Sequence, residues 1–243
     1  LQQLISDGAT VVLECSDKLV NIFSRSLPGV TVVPRTMPPK KDTLMSDIEF
    51  QLPLASLSRF YRNSSESFSS NSGEYLFPKT SLVAQLNQRY RDLGDGPLVG
   101  ICWRSGNLKV GAERSIPLKL WKEILIKRPC RFLSLQYGDS RSDTGIFKNN
   151  PDIHIHLDEK VNPLEDAESW FAQIAVVDLV ISVDNSTIQV SGSQGVPTWT
   201  LVNFNPEWRF GLRGEKNDWH PSMKVYRQHK EGDWESVISK VAD

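Results

Sequence analysis

Short apolar runs alternate along the chain with segments of helical period. Residues 10–15, 30–33, 47–52, 98–102, 131–135, 153–157, 179–183 and 198–202 are short and largely apolar, bounded by Gly, Pro, Asp or other polar residues, as strands are. Residues 17–25, 80–93, 118–127, 164–176, 187–194 and 233–241 carry helical spacing. Near-continuous apolar runs belong to strands covered on both faces, and strand–helix alternation is the rhythm of βαβ units. The expected class is α/β, with parallel sheets wrapped by helices.

Two interruptions break this rhythm. Residues 63–74 are Ser-rich and polar with no apolar period, which reads as a mobile loop. Gly94-Asp95-Gly96-Pro97 is a turn cluster between a charged helix and a new strand. It is the expected boundary between a domain of residues 1–95 and a domain of residues 96–243. Leu1 to Ile5 resembles the tail of a helix already under way, so the first domain is expected to be truncated at its start.

Composition narrows the class further. The 243 residues are 39% hydrophobic and 23% charged, enough to build a real core. The formal net charge is −1, and basic residues such as Lys40, Lys41, Arg89 and Arg91 are not gathered into a basic field, which argues against a nucleic-acid partner. Cys15, Cys102 and Cys130 are odd in number, far apart and set in apolar contexts. They read as buried free thiols in a reducing, cytoplasmic compartment. No apolar stretch approaches the ~20 residues that span a bilayer, because the run 174–183 is broken by Asp178.

Residues 176–187 hold the most informative local pattern: an apolar strand, then Asp184, Asn185, Ser186 and Thr187 where the next helix begins. In an open α/β sheet, ligands sit beyond the carboxyl ends of the strands, and the free N–H groups of a helix start attract phosphate. Asp184 could accept from sugar hydroxyls, and Ser186 and Thr187 could donate to phosphate. The plainer explanation, that Asp184 or Ser186 caps the helix, accounts for this segment equally well. Ser191, Gly192 and Ser193 then allow close approach to the sheet, and Gly195 ends the helix.

Several blocks together resemble the glycosyltransferase domain that accompanies tetratricopeptide repeats in bacterial proteins, itself similar to the lipopolysaccharide heptosyltransferases. They are Gly100-Ile101-Cys102-Trp103-Arg104-Ser105-Gly106, Arg114-Ser115-Ile116-Pro117, Leu133 to Asp139, Asp178 to Val202, Trp208-Arg209, Trp219 to Gln228 and Gly232-Asp233-Trp234. The resemblance implies a GT-B fold of two Rossmann-like domains with parallel sheets, the nucleotide-sugar held mainly by the C-terminal one. It assigns Arg104, Ser105 and Asn107 to a loop near the phosphates or the acceptor, and Arg114 to the pyrophosphate. Gln136 and Tyr137 fall where the base is held, and Asp184, Asn185, Ser186 and Thr187 on the sugar- and diphosphate-binding turn. Gln189 stands where many similar proteins carry histidine; its amide can still donate to phosphate, but it cannot titrate near neutral pH.

The implied activity is metal-independent, inverting transfer from a UDP- or ADP-sugar to a glycan or protein acceptor, with no cofactor beyond the donor substrate. The resemblance places the general base before Leu1, so no catalytic residue is assigned in this chain. His154 and His156 alternate on one strand, but no third ligand stands at metal-site spacing. The alternative reading is a non-catalytic nucleotide-sugar-binding or scaffold module; an epimerase would need an acid–base pair flanking the sugar, which the sequence does not offer.

Overall fold

The computed structural model describes residues 1–39, 43, 48–68 and 73–243. Lys40, Lys41 and the first residue of the expected strand 47–52 lie outside them. The strands are β1 Val11–Cys15, β2 Val30–Pro34, β3 Leu98–Cys102, β4 Arg131–Ser134, β5 Ile155–His156, β6 Leu179–Val183, β7 Thr198–Val202 and β8 Met223–Arg227. The helices are α1 Gln2–Ser6, α2 Val20–Ser26, α3 Ser58–Tyr61, α4 Thr80–Arg91, α5 Gly111–Arg114, α6 Lys122–Lys127, α7 Arg141–Thr144, α8 Ala167–Ala175, α9 Ser186–Ser193 and α10 Trp234–Ala242.

Two differences from the sequence reading stand out. Residues 48–52 form no strand, and Ile48, Phe50 and Leu52 are exposed; apolar character without a neighbouring strand to pair with does not make one. Conversely, β8 completes the edge of the second sheet from a run whose aromatic richness concealed its strand character.

Among the described residues, β1 and β2 form a parallel pair, and the other strands form one parallel sheet in the order β5-β4-β3-β6-β7-β8. The chain starts in the middle at β3, winds outward through β4 and β5, then returns to lay β6 on the other side of β3. The doubly wound order thus reverses between β3 and β6, whose carboxyl ends form the switch point at which open α/β sheets bind ligands in a crevice.

Both faces of this sheet are buried. Val99 and Ile101 of β3 join Ile181, Leu201, Trp121, Ile124, Val237 and Ile238 in a core under α6 and α10. Leu98 and Cys102 point the other way, into a core with Leu133, Val180, Phe171 and Ile174 under α4 and α8. That second core includes Ile22 and Leu76 and therefore continues into the first half of the chain. Polar ties follow the same route: Arg25 makes a two-point contact with Glu168 (3.1 and 2.8 Å), and the Tyr75 and Leu76 N–H groups donate to Ser193 O (2.9 and 3.1 Å). Among the cysteines, Cys102 is buried as expected, whereas Cys15 and Cys130 are only partly covered; all are free thiols. Among the described residues no helix is long and apolar enough to cross a membrane.

Gly100 marks the tightest point of the central strand. A Cβ there would stand 2.5 Å from Leu135 Cδ1 and 3.4 Å from Val177 Cγ1. Overpacking of this kind costs about 1–3 kcal/mol, so Gly100→Ala lowers the unfolding free energy by that order in chemical denaturation. Combined with Leu135→Ala, it destabilises by less than the sum of the two single changes, because the second change vacates the space the first one needs.

Candidate functional site

The crevice between the ends of β3 and β6 gathers the polar residues. Asp184 immediately follows β6, and its side chain is 1% exposed. Such a carboxylate needs partners inside the protein, and two arginines from separate loops supply them. Arg114 Nη1 lies 3.0 Å from Oδ2, and Arg209 Nη2 donates to Oδ1 at 3.2 Å. Arg114 Nη2 also donates to Glu207 Oε1 at 2.5 Å. Burial raises the Asp184 carboxyl above its ordinary range, against the pull of both guanidiniums. Glu207, at the rim, is lowered chiefly by its hydrogen bond to Arg114. The four formal charges sum to zero, so the cluster needs no bound counter-ion for neutrality and presents hydrogen-bond donors more than net charge.

Asn185 is the N-cap of α9: its Oδ1 accepts from Thr187 N at 2.9 Å. Its Nδ2 donates across the crevice to Arg104 O (3.1 Å) and contacts Cys102 Sγ (3.0 Å), locking the ends of β6 and β3 together. Thr187 is fully buried, while Ser186 is the exposed residue of the turn. The capping explanation therefore describes Asn185, and Asp184 is instead the ion-pair centre.

The loop after β3 is braced from β4. The buried Gln136 carboxamide accepts from Trp103 N (3.1 Å) and Arg104 N (2.8 Å), and Tyr137 Oη accepts from Gly106 N. Arg104 turns toward Asp143 (2.8 Å) and donates to Asp139 O (2.9 Å). Ser105 N donates to Ser115 Oγ (3.0 Å), and Asn107 Oδ1 accepts from Lys109 N (2.9 Å) and Val110 N (3.2 Å). Gln136 and Asn107 thus hold the loop's shape. Beyond the carboxyl ends of β4 and β5 opens a cavity of about 500 Å³, lined by Gln136, Asp139, Ser140, Asp158, Asn162 and Gln173 among others. Asp158 accepts there from Tyr90 Oη and Arg89 Nη1, both at 2.7 Å.

Gln189 lies one turn into α9 and meets His220, whose Nε2 is 3.2 Å from its Oε1. His220 is 4% exposed, and its ring lies flush on Gly192, where a Cβ would come within 2.4 Å of Cγ. Tyr75 from the first half stacks near it, with centroids 6.2 Å apart and planes 9° from parallel. A chain of bonds returns to the ion-pair centre: His220 N donates to Asn217 Oδ1 (2.9 Å), and Asn217 Nδ2 to Arg209 O (3.2 Å). Sequence reasoning singled out neither Glu207 nor Arg209 as site residues; the available signal was that they flank the exposed Trp208 just after a strand end. His154, exposed beside the short edge strand β5, and His156 lie away from this crevice.

Burial lowers the His220 imidazole to about 4. Its folded value lies below the ordinary 6.5, so the stabilisation from a neutral ring is complete above pH about 6.5 and is lost as pH falls toward 4. The size is roughly 3 kcal/mol. Denaturant titrations across that range should show this acid loss in the parent and not in His220→Gln; matching pH dependences would exclude a buried neutral ring.

No protein-family model matches the chain. Protein FlbA of Caulobacter vibrioides is 33% identical over 171 residues, covering 69% of this chain and 28% of that protein, so the chain spans little more than a quarter of that relative's length. The crystal structure of a glycosyl transferase family 9 protein from Veillonella parvula superposes with a TM-score of 0.53 at 16% identity, covering 99% of this chain and 74% of that one. With its parallel sheets and its crevice at the β3/β6 reversal, the chain has the GT-B-type glycosyltransferase fold of that neighbour.

Proposed function

We propose that the chain is the donor-binding part of a glycosyltransferase that moves a sugar from a UDP- or ADP-sugar to a glycan or protein acceptor by a metal-independent, inverting route. The observation that carries this reading is the Arg114–Asp184–Arg209 cluster beside the start of α9, at the strand-order reversal of a GT-B-type sheet. Breaking the glycosidic bond leaves a diphosphate whose growing negative charge must be met, and preorganised donors in a water-poor site do this most effectively. Here the donors are the Arg114 and Arg209 guanidiniums, the Ser186 hydroxyl and the first-turn amides of α9 that the Asn185 cap leaves unfilled. The cavity beyond β4 and β5 falls within the size range of small-molecule pockets, and Gln136, which lines it, also braces the Arg104 loop.

Glu207 decides how the site would load. Asp184 is inaccessible, but the Glu207 side chain is 34% exposed and holds the arginine end that a diphosphate would take. Binding exchanges one anion for another on Arg114. Calorimetric titration with UDP and ADP should give saturable binding of at least one. Arg114→Ala should weaken it roughly ten- to a hundredfold, as loss of a charged hydrogen bond does, and Glu207→Gln should tighten it severalfold. Binding of neither nucleotide, or Arg114→Ala binding as well as the parent, would sink the assignment.

A further inference from the structure

Gln189 presents two chemically opposite ends, and which one faces the crevice decides whether it attracts or repels an anion. Its Oε1 is the atom next to His220 Nε2, while its Nε2 has no partner among the described residues. Of the residues on α9 after Ser186, Gln189 is partly open while Thr187, Ile188 and Val190 to Ser193 are buried, so Ser186 and Gln189 share the outward face one turn apart. The neighbouring imidazole has little freedom, being pressed on Gly192, stacked by Tyr75 and tethered through its backbone to Asn217.

The ring's two nitrogens are unequal. Nδ1 is buried against Gly192, whose backbone carbonyl is a neighbouring acceptor but does not meet it in hydrogen-bond geometry. Nε2 has Gln189 Oε1 at 3.2 Å in better geometry, so the proton belongs on Nε2. Burial also keeps the ring neutral, holding its titration down to about 4, so a single tautomer persists at physiological pH.

We propose that His220 is a positioning residue: by donating Nε2–H to Gln189 Oε1, it turns the Gln189 carboxamide so that its NH₂ faces outward beside Ser186 as a donor to the diphosphate. The proposal rests on the nucleotide-sugar reading of the crevice. An Nδ1–H tautomer would reverse the arrangement, recruiting the Gln189 NH₂ to the ring and presenting its oxygen to the anion.

Two measurements test this. Nitrogen-15 NMR of the ligand-free protein should show the Nε2–H tautomer at His220, and an Nδ1–H tautomer would overturn the proposal whatever the chain binds. In UDP and ADP titrations, His220→Phe, which keeps the ring plane but not the donor, should weaken binding roughly tenfold. Gln189→Ala should lose about as much, and the double variant little more, because both changes remove the same hydrogen bond. His220→Gln, whose side-chain amide reaches the Nε2 position, should restore binding to within about twofold of the parent. It also guards against misfolding of the Phe variant. Parent-like binding by His220→Phe, or strictly additive losses, overturns the positioning role alone; failure of the parent to bind either nucleotide overturns the nucleotide-sugar reading and this proposal with it.

Discussion

A carboxylate with 1% exposure cannot be left to water, and Asp184 stands where the sheet reverses its strand order, so its charge must be matched by whatever the surrounding loops bring. Arg114 comes from the stretch after β3 and Arg209 from the stretch after β7, elements on opposite sides of the crevice. Holding both to one carboxylate fixes the distance between those loops. The same demand recruits Glu207 to complete Arg114, and leaves Arg209 free to link onward through its carbonyl to Asn217 and His220. Removing one member of a buried ion pair commonly costs about 3–5 kcal/mol, so the cluster is a structural keystone whether or not a ligand is bound.

That double duty explains why so many polar residues of the crevice point inward. Gln136 and Asn107 bind backbone, Asn185 caps α9 and reaches across to β3, and Arg104 is held by Asp143 and Asp139. Donors held this firmly undergo little reorganisation when a ligand arrives, which is what the proposed diphosphate site requires. The first half of the chain takes part as well. Tyr75 stacks near His220 while its backbone binds the end of α9, so the outward face of that helix is shaped from both halves.

Much of the fold was legible in the sequence. The strands 98–102, 179–183 and 198–202 stand where their apolar runs ended, because a strand buried on both faces writes a continuous apolar signal flanked by polar breaks. Residues 48–52 carried a similar signal and form no strand, while β8 carried a weaker one and does. Pairing is a non-local event that a single run cannot report.

For the site, the chain order of Asp184, Asn185, Ser186 and Thr187 after an apolar run was enough to mark a strand end followed by a helix start, because both are local consequences of period and capping chemistry. The sequence could not say which of those residues caps the helix and which takes the ion pairs. Nor could it bring Arg209 to Asp184 across 25 positions, or His220 to Gln189 across 31. Those pairings depend on how the loops of a doubly wound sheet converge, and on the demand of a buried charge for a partner. Such contacts have no period along the chain, and only the folded arrangement decides them.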